Sequence, residues 1–507
     1  MELVEPPYHH NCYYIPHHAV TSKFRVVFNA SAPTSSGVSL NDVQLVGPAL
    51  QDSLGSILLR FRRFRVAITA DIEKMFRQVL VAPEHRDYQR IIWRESPADD
   101  IRVYRLKTIT YGMACSPYNA VRTLQQCAYD NYGSVPDRRQ AVLARDAILT
   151  FYVDDFLTSC ESASDAVELA RNVDTILSAG KFTLRKWNSN DGQGTSYLSN
   201  EASLSSYTFH SGVASVLGLR WDAVTDQLFF QVDLNQSSEA PTKRRVLSEV
   251  ARLFDPAGLL SPVVVTGKVV QRMWAAGLSW NSPLHDDLCN EWLKYRSKLE
   301  GLNKIRINRW MGMIQRVQTT LHGFCDASSQ AYAAVIYTRT VDVGGVAHIS
   351  LLTARTKVAP LKGATIPRLE LSAALLLAET IQNVRDSLGL IDAPYYLWSD
   401  SATVLCWLKK HPTTLKPFIS NRVRRIKKLT SPDRWYYVRS AQNPADCASR
   451  GITPEELLVY PLWWHGPGVL GSAPSNQPEI PLSQAESDEL LAERRSICQS
   501  IVLLRSL

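Results

Sequence analysis

No two of the nine cysteines form a C-x-x-C pair, so the chain lacks the usual spacing of a zinc ribbon or finger. They are scattered singly. Cys115, Cys325 and Cys406 lie in apolar or motif contexts and read as reduced core thiols, which points to a reducing compartment. No basic-then-apolar signal segment opens the chain. No apolar run is long enough for a membrane span, and the stretch 369–377 is short and carries Glu370. Neither sign of charge dominates: 56 Lys and Arg face 48 Asp and Glu, a net charge of +8. That excess suits a polyanionic partner without deciding for one. Hydrophobic content of 45% and charged content of 21% are those of globular protein, and 507 residues imply several domains.

What is present is organised around Tyr152-Val153-Asp154-Asp155. Apolar, β-rich runs on both sides predict two strands, with the Asp pair in the hairpin turn between them. The plain alternative is an ordinary Asp-Asp turn. A second acidic strand end lies upstream, where the apolar run 65–70 closes on Asp71. Ile72, Met75, Phe76 and Val79 follow at helical spacing, so the plain alternative for Asp71 is a helix N-cap. A carboxylate at the end of a buried strand is costly unless paired or metal-bound. Asp71, Asp154 and Asp155 together would hold two divalent ions about 3.5–4 Å apart, the arrangement of polymerases.

These residues resemble the palm of a reverse transcriptase, with its Tyr-x-Asp-Asp hairpin. The surrounding text resembles the BEL/Pao class of long-terminal-repeat retrotransposon polyproteins, from Tyr13-Tyr14-Ile15-Pro16 to Trp463-Trp464-His465-Gly466-Pro467. The resemblance implies a multidomain α+β and α/β chain. Its parts are fingers (1–65), palm (66–235), thumb and connection (236–318), a ribonuclease H-like mixed-sheet domain (319–455) and a C-terminal linker (456–507). Lys23 and Arg25 would grip a nucleoside triphosphate, Arg25 with the stronger support. Phe76 would exclude a 2′-hydroxyl, Tyr111 would lie against the incoming base, and Lys186 would protonate the pyrophosphate. Phe76 as plain core is equally compatible with the periodicity. Within Tyr111-Gly112-Met113-Ala114-Cys115-Ser116-Pro117, Gly112 permits close backbone approach and Ser116 is a candidate helix cap. Val216–Trp221 looks like a primer-gripping hairpin, and 188–206 reads as a polar loop. Leu253-Phe254-Asp255-Pro256-Ala257-Gly258 is close to the BEL/Pao pattern but suggests only a turn.

A second acidic set follows. Asp326 ends an apolar strand, Glu370 lies on a long Ala/Leu helix, Asp400 ends another strand, and Asp446 follows Asn443-Pro444-Ala445. Each has its own plain explanation as cap, turn or surface charge. Strand-Asp, helix-Glu, strand-Asp, helix-Asp in this order resembles ribonuclease H, whose chemistry needs the four carboxylates together for two ions. Many ribonucleases H carry a His before the last Asp, where this chain has Tyr437. A helix over 421–429 would direct Arg422, Arg425 and Lys428 outward, toward hybrid phosphates or simply toward water. The basic run Arg60, Arg62, Arg63, Arg65 is open to the same two readings.

The resemblance implies an RNA-directed DNA polymerase with ribonuclease H activity, served by two Mg²⁺ per centre, with Mn²⁺ as the alternative. Its partners would be an RNA template, a DNA primer, the RNA–DNA hybrid and dNTPs, with no membrane. It would work in a cytoplasmic retrotransposon particle or in the nucleus. No integrase-like zinc cluster or aspartic-protease motif is seen, so protease and integrase would be neighbouring polyprotein domains. The alternative is a degenerate or domesticated, non-catalytic nucleic-acid-binding remnant.

Overall fold

The structure is a computed structural model. It describes residues 1–6, 11–21, 25–191, 212–234, 240–268, 273, 277–314, 317–342, 344–361, 363–471 and 493. Most of the polar loop expected over 188–206, and the tail 473–507 apart from Glu493, lie outside the described residues. So does Lys23. Two units form: Met1–Ser53 with Val66–Gly212, and helix α1 (Leu54–Arg63) with Val213–Leu507.

The first unit begins with short strands β1 (Glu2–Leu3), β2 (His17–Val20) and β3 (Arg25–Phe28). Its centre is β4 (Val66–Ile72), on which only Asp71 is not buried. Strand β6 (Arg102–Arg105) pairs with both β1 and β5 (Arg90–Trp93), while β7 (Asp155–Cys160) and β8 (Leu184–Ser189) flank β4 antiparallel. Helices α2 (Met75–Gln78), α3 (Ser116–Asn131), α4 (Arg138–Ile148) and α5 (Ala163–Ala179) complete the unit. Ile68, Ile72, Leu124, Ile148, Phe156, Val173 and Ile176 share one core. Asp137 caps α4 through the Gln140 N–H, and Ser162 caps α5 through that of Asp165.

The run before Tyr152 corrects the sequence expectation of a strand. It is the end of α4, and Leu149, Thr150 and Phe151 still donate back to Arg145, Ala147 and Ile148. Ala141, Ala144 and Ile148 supply a buried helical face that outweighs β propensity. The expected helix after Asp71 is likewise only α2, because Ile72 belongs to β4.

In the second unit β9 (Val213–Val216), β10 (Leu219–Asp222), β11 (Gln227–Phe229) and β12 (Arg306–Asn308) form an antiparallel sheet. Leu217 and Gly218 join β9 to β10, both at positive φ (47° and 86°), as a two-residue hairpin turn demands. A Cβ on Gly218 would strike the Phe254 ring. Next come α6 (Lys243–Arg252), α7 (Ser261–Lys268) and α8 (Asp286–Arg296). A five-stranded sheet follows, ordered β15-β14-β13-β16-β17: β13 (Thr319–Ala327), β14 (Ala331–Val341), β15 (Ala347–Val358), β16 (Tyr395–Ser399) and β17 (Trp435–Tyr437). The first three strands are antiparallel, and β16 and β17 run parallel to β13. Helix α9 (Ile366–Leu388) packs its apolar face on β13 and β14. Helices α10 (Ala402–Lys409), α11 (Pro417–Leu429), α12 (Asp446–Arg450), α13 (Pro454–Leu458) and α14 (Pro461–His465) complete it.

Two sequence features find structural work here. Arg62 of α1 is fully buried and donates to the carbonyls of Leu351, Leu352 and Arg309. Burial holds its guanidinium down to about 10. Arg62 therefore belongs to neither the solvated-face nor the polyanion reading of that basic run. The 253–258 turn covers the open edge of β15: the Ala257 carbonyl accepts from the Ala354 N–H (3.0 Å) and the Thr353 hydroxyl (2.7 Å). Asp255 accepts from the Leu259 and Leu260 N–H groups, which fixes the turn.

Two candidate carboxylate centres

The first centre is built where β4 meets β7. Antiparallel register sets Asp71 opposite Asp155, and the Ile72 N–H donates to the Asp154 carbonyl at 2.9 Å. Tyr152 and Asp155 exchange N–H···O bonds of 3.0 and 2.9 Å across a two-residue turn. Val153 stands in that turn at φ +54°, a conformation β-branched residues rarely adopt, costing on the order of 1–3 kcal/mol. The three carboxylates offer oxygens all within 4.8 Å of one another. Burial, and then the Asp154 and Asp71 charges, push Asp155 up to about 6; burial also raises Asp154. Asp71 is no helix cap, since Lys74 holds the cap position of α2.

Lys186 reaches this group. It sits at φ +54°, where the β4–β8 register shifts, and its Nζ donates to Asp71 Oδ2 at 2.7 Å. The hydrogen bond to Asp71 raises its pKa. Phe76 is half-buried against the core. Tyr111 is exposed, edge-on to Phe28 at 5.3 Å, with Arg77 over its ring at 5.4 Å. Arg25 lies on the exposed part of β3. Gly112 is at φ +95°, and a Cβ there would run into the Phe28 carbonyl. Asn41 donates to the Gly112 carbonyl (3.0 Å) and accepts from the Ala114 N–H (2.8 Å). Ser116 is not the cap expected of it: its hydroxyl donates to the Thr110 carbonyl at 2.6 Å.

The second centre stands at the ends of two parallel strands. Cys325 pairs with Ser399, so the next residues, Asp326 near the end of β13 and Asp400 just past β16, stand side by side. Glu370 comes from the first turns of α9, and the three share an oxygen cluster within 4.8 Å. Asp326 is 2% exposed and Glu370 8%. Burial, then the Asp400 charge, push Asp326 up to about 7; burial and the Asp326 charge push Glu370 well above the usual carboxylate range; burial also raises Asp400. Glu370 Oε2 is buried without a hydrogen-bond partner. Such a set of crowded carboxylate oxygens fits a hard divalent cation.

Asp446 begins α12 and pairs with Arg450 Nε at 2.5 Å; it is not one of the three clustered acids. Asp400 is not a cap, because the Ser401 hydroxyl takes that role for α10. The sequence reading missed the supports. Ser449 donates to Asp326, and Ser440 to Asp400 at 2.7 Å. The buried Asn443 amide bridges the Cys325 carbonyl (3.0 Å) and Asp400 Oδ1 (3.2 Å). Their only local signal is membership of the segment that carries Asp446. Tyr437 is half-buried against the α9 side of the sheet. Along α11, Arg422 is half-buried and stacked on Phe418 (3.5 Å), Arg425 is exposed 3.7 Å from Glu379, and Lys428 is exposed.

Residues 242–401, which hold Asp326, Glu370 and Asp400, match the family model described as Pao retrotransposon-like RNaseH-like domain. Over these residues the chain is similar to that family. The match to the Pao-type domain ends before Asp446. Among solved structures, the chain is similar to a foamy viral protease-reverse transcriptase dRH in complex with ds DNA. That match has a TM-score of 0.52 and 16% identity, and covers 84% of this chain and 65% of the other. It is also similar to the foamy viral protease-reverse transcriptase in complex with RNA/DNA hybrid, with a TM-score of 0.48, 14% identity and coverage of 93% and 52%. The chain thus spans about two thirds and about half of these two proteins' lengths. The first likeness is one of fold alone, a mixed α+β architecture. No curated protein matches. Among the described residues no helix is long and apolar enough to cross a membrane.

Proposed function

We propose that the chain is an RNA-directed DNA polymerase joined to a ribonuclease H, copying retrotransposon RNA into DNA and cleaving the RNA of the resulting hybrid. The observation that carries this reading is the pair of separate carboxylate triads, one built at strand ends and the other at strand ends and a helix, each crowded enough to call for cations. The parts are fingers (1–65), palm (66–235), thumb and connection (236–318), ribonuclease H (319–455) and C-terminal segment (456–507). Asp71, Asp154 and Asp155 hold two Mg²⁺ in the palm; Asp326, Glu370 and Asp400, joined by Asp446 when substrate is present, hold two more. Bound there, the ions supply an activated oxygen nucleophile and stabilise the departing oxygen. Mn²⁺ meets the same hard-oxygen requirement.

The chain's own residues do the rest. Lys186 lies at hydrogen-bond distance from Asp71 and delivers a proton to the leaving pyrophosphate. Lys23 and Arg25 hold the triphosphate, Phe76 selects the sugar and Tyr111 supports the base. Asn443, Ser440 and Ser449 orient the ribonuclease H acids. Arg422, Arg425 and Lys428 track hybrid phosphates. The partners are RNA template, DNA primer, hybrid and dNTPs, in a cytoplasmic retrotransposon particle or the nucleus, beside protease and integrase domains of a polyprotein.

The test is primer extension on an RNA template, and cleavage of a labelled hybrid, both with Mg²⁺. Asp154→Ala is expected to abolish extension and spare cleavage; Asp400→Asn is expected to do the reverse. Loss of both activities in either folded variant would overturn the two-centre reading. A folded parent with neither activity would favour a nucleic-acid-binding remnant.

A further inference from the structure

Gln89 closes the short 3-10 helix Pro83–Gln89 and is 1% exposed. Its backbone carbonyl accepts from the Leu106 N–H at 3.0 Å, and its Nε2 donates to the carbonyls of Leu106 (3.2 Å) and Thr108 (3.4 Å). The nitrogen has to face these two carbonyls, which fixes the orientation of the amide and turns its oxygen away from them. That oxygen, Oε1, is buried with no hydrogen-bond partner among the described residues. Gln89 is thus tied on its donor side and open on its acceptor side.

Gln89 lines a cavity of about 180 Å³ within the first unit. Gln44 lines the same cavity, and its Oε1 is also buried and unpartnered. Val81, Ile109 and Met113 supply apolar wall. The exposed His85 and Tyr88, ring centroids 6.5 Å apart, stand at the rim. None of the lining residues belongs to either carboxylate triad. A water held against Val81, Ile109 and Met113 finds fewer of the about two to four polar partners it needs. It is readily displaced by a molecule that gives the two oxygens a donor and the apolar wall a ring. The donor has to be neutral, because no carboxylate lines the cavity to compensate a desolvated cation. The wall is held in advance of binding: Met113 lies between Gly112 and Ala114, both tied to the Asn41 side chain.

We propose that this cavity is a binding site for a small, neutral heteroaromatic molecule whose N–H groups donate to Gln44 Oε1 and Gln89 Oε1, with its ring against Val81, Ile109 and Met113. The inference does not rest on the polymerase or the ribonuclease H reading.

The probe is 2-aminobenzothiazole, uncharged near neutral pH, whose amino group carries a pair of N–H donors. Benzothiazole, the same bicycle without the amino group, is the control. Both are titrated into the full chain and followed by ligand-observed NMR and calorimetry. The parent is expected to bind the amino compound at sub-millimolar concentration, and at least about tenfold more tightly than the control, because the control leaves both oxygens without a donor. Gln44→Leu is expected to erase most of that preference and to leave benzothiazole affinity within about twofold. Gln89 is left in place, since its amide also holds Leu106 and Thr108. Val81→Phe fills the cavity and is expected to abolish binding of both compounds. Failure of the folded parent to bind the amino compound, equal affinity for the two, or binding that survives Val81→Phe would overturn the site and leave the two oxygens to water. Should Val81→Phe melt early, Gln44→Leu alone decides: a preference that persists in it overturns the site.

Discussion

Lys186 Nζ donates to Asp71 Oδ2 across 2.7 Å, from a strand residue held at φ +54°. The bulge beside it aims the ammonium at the first triad rather than along the strand, since the β4–β8 register slips between Thr69 and Asp71. A base held protonated by Asp71 in the free enzyme is placed to become a proton donor once cations take over that carboxylate. Lys186→Ala is expected to lower the rate of nucleotide addition by about 10²-fold or more. The alkaline limb of its pH–rate profile should disappear as well. An unchanged single-turnover rate would leave Lys186 a partner of Asp71 only.

Phe76 lies half-buried against the core of the first unit. Phe76→Val opens room for a 2′-hydroxyl. The ratio of ribonucleotide to deoxynucleotide incorporation, measured by competing the two on an RNA template, should rise. A constant ratio with a lowered melting temperature would assign the ring to the core alone.

Glu370 is 8% exposed, close to two other acids, with one oxygen unpartnered. Its pKa is raised, so its neutral form is the comfortable one. The stability it contributes is present below the unfolded value of 4.5 and is lost as pH rises through that value toward the folded one. At pH 8 in chelator, Glu370→Gln is therefore expected to stabilise the fold by about 1–2 kcal/mol. It should also shrink the rise in melting temperature that Mg²⁺ gives the parent. Calorimetry with and without Mg²⁺ checks both, and a destabilised variant in chelator would contradict the crowding of the triad.

His322 is buried on β13, stacked on Tyr396 at 5.1 Å and hydrogen-bonded to Thr320 at 3.1 Å. Burial, then Arg339, pull its pKa down from 6.5 to about 3. A base depressed in this way stays neutral in the fold while the unfolded chain takes up a proton. Its contribution is whole above pH 6.5 and is lost as pH falls from 6.5 toward 3. At pH 5 the loss is about 2 kcal/mol, 1.5 pH units at about 1.4 kcal/mol each. Denaturant titrations of the parent and His322→Phe at pH 7 and pH 5 should show a smaller acid loss in the variant. Equal losses would mean that His322 does not govern this window.

The acids were legible in the sequence because a carboxylate closing an apolar strand is a local conflict between burial and charge. Asp71, Asp326 and Asp400 each stand at such a place, and the long Ala/Leu periodicity set Glu370 on a helix. The supports were not legible. Asn443 touches Cys325 and Asp400 from 118 and 43 residues away, and Ser449 reaches Asp326 from 123. Local pattern carries no record of such partners. The run before Tyr152 has β-rich composition, yet a buried helical face decided its structure. Arg62 reads as surface charge until the carbonyls of Leu351 and Leu352 are seen around it. The sequence by itself determined that Asp71, Asp326 and Asp400 close apolar strands and that Glu370 stands on a helix. Only the tertiary structure decided which carboxylates converge, because strand register and long-range hydrogen bonds set distances between residues far apart in the chain. It clustered Asp326 with Glu370 and Asp400, left Asp446 with Arg450, and brought Glu493 onto Arg368.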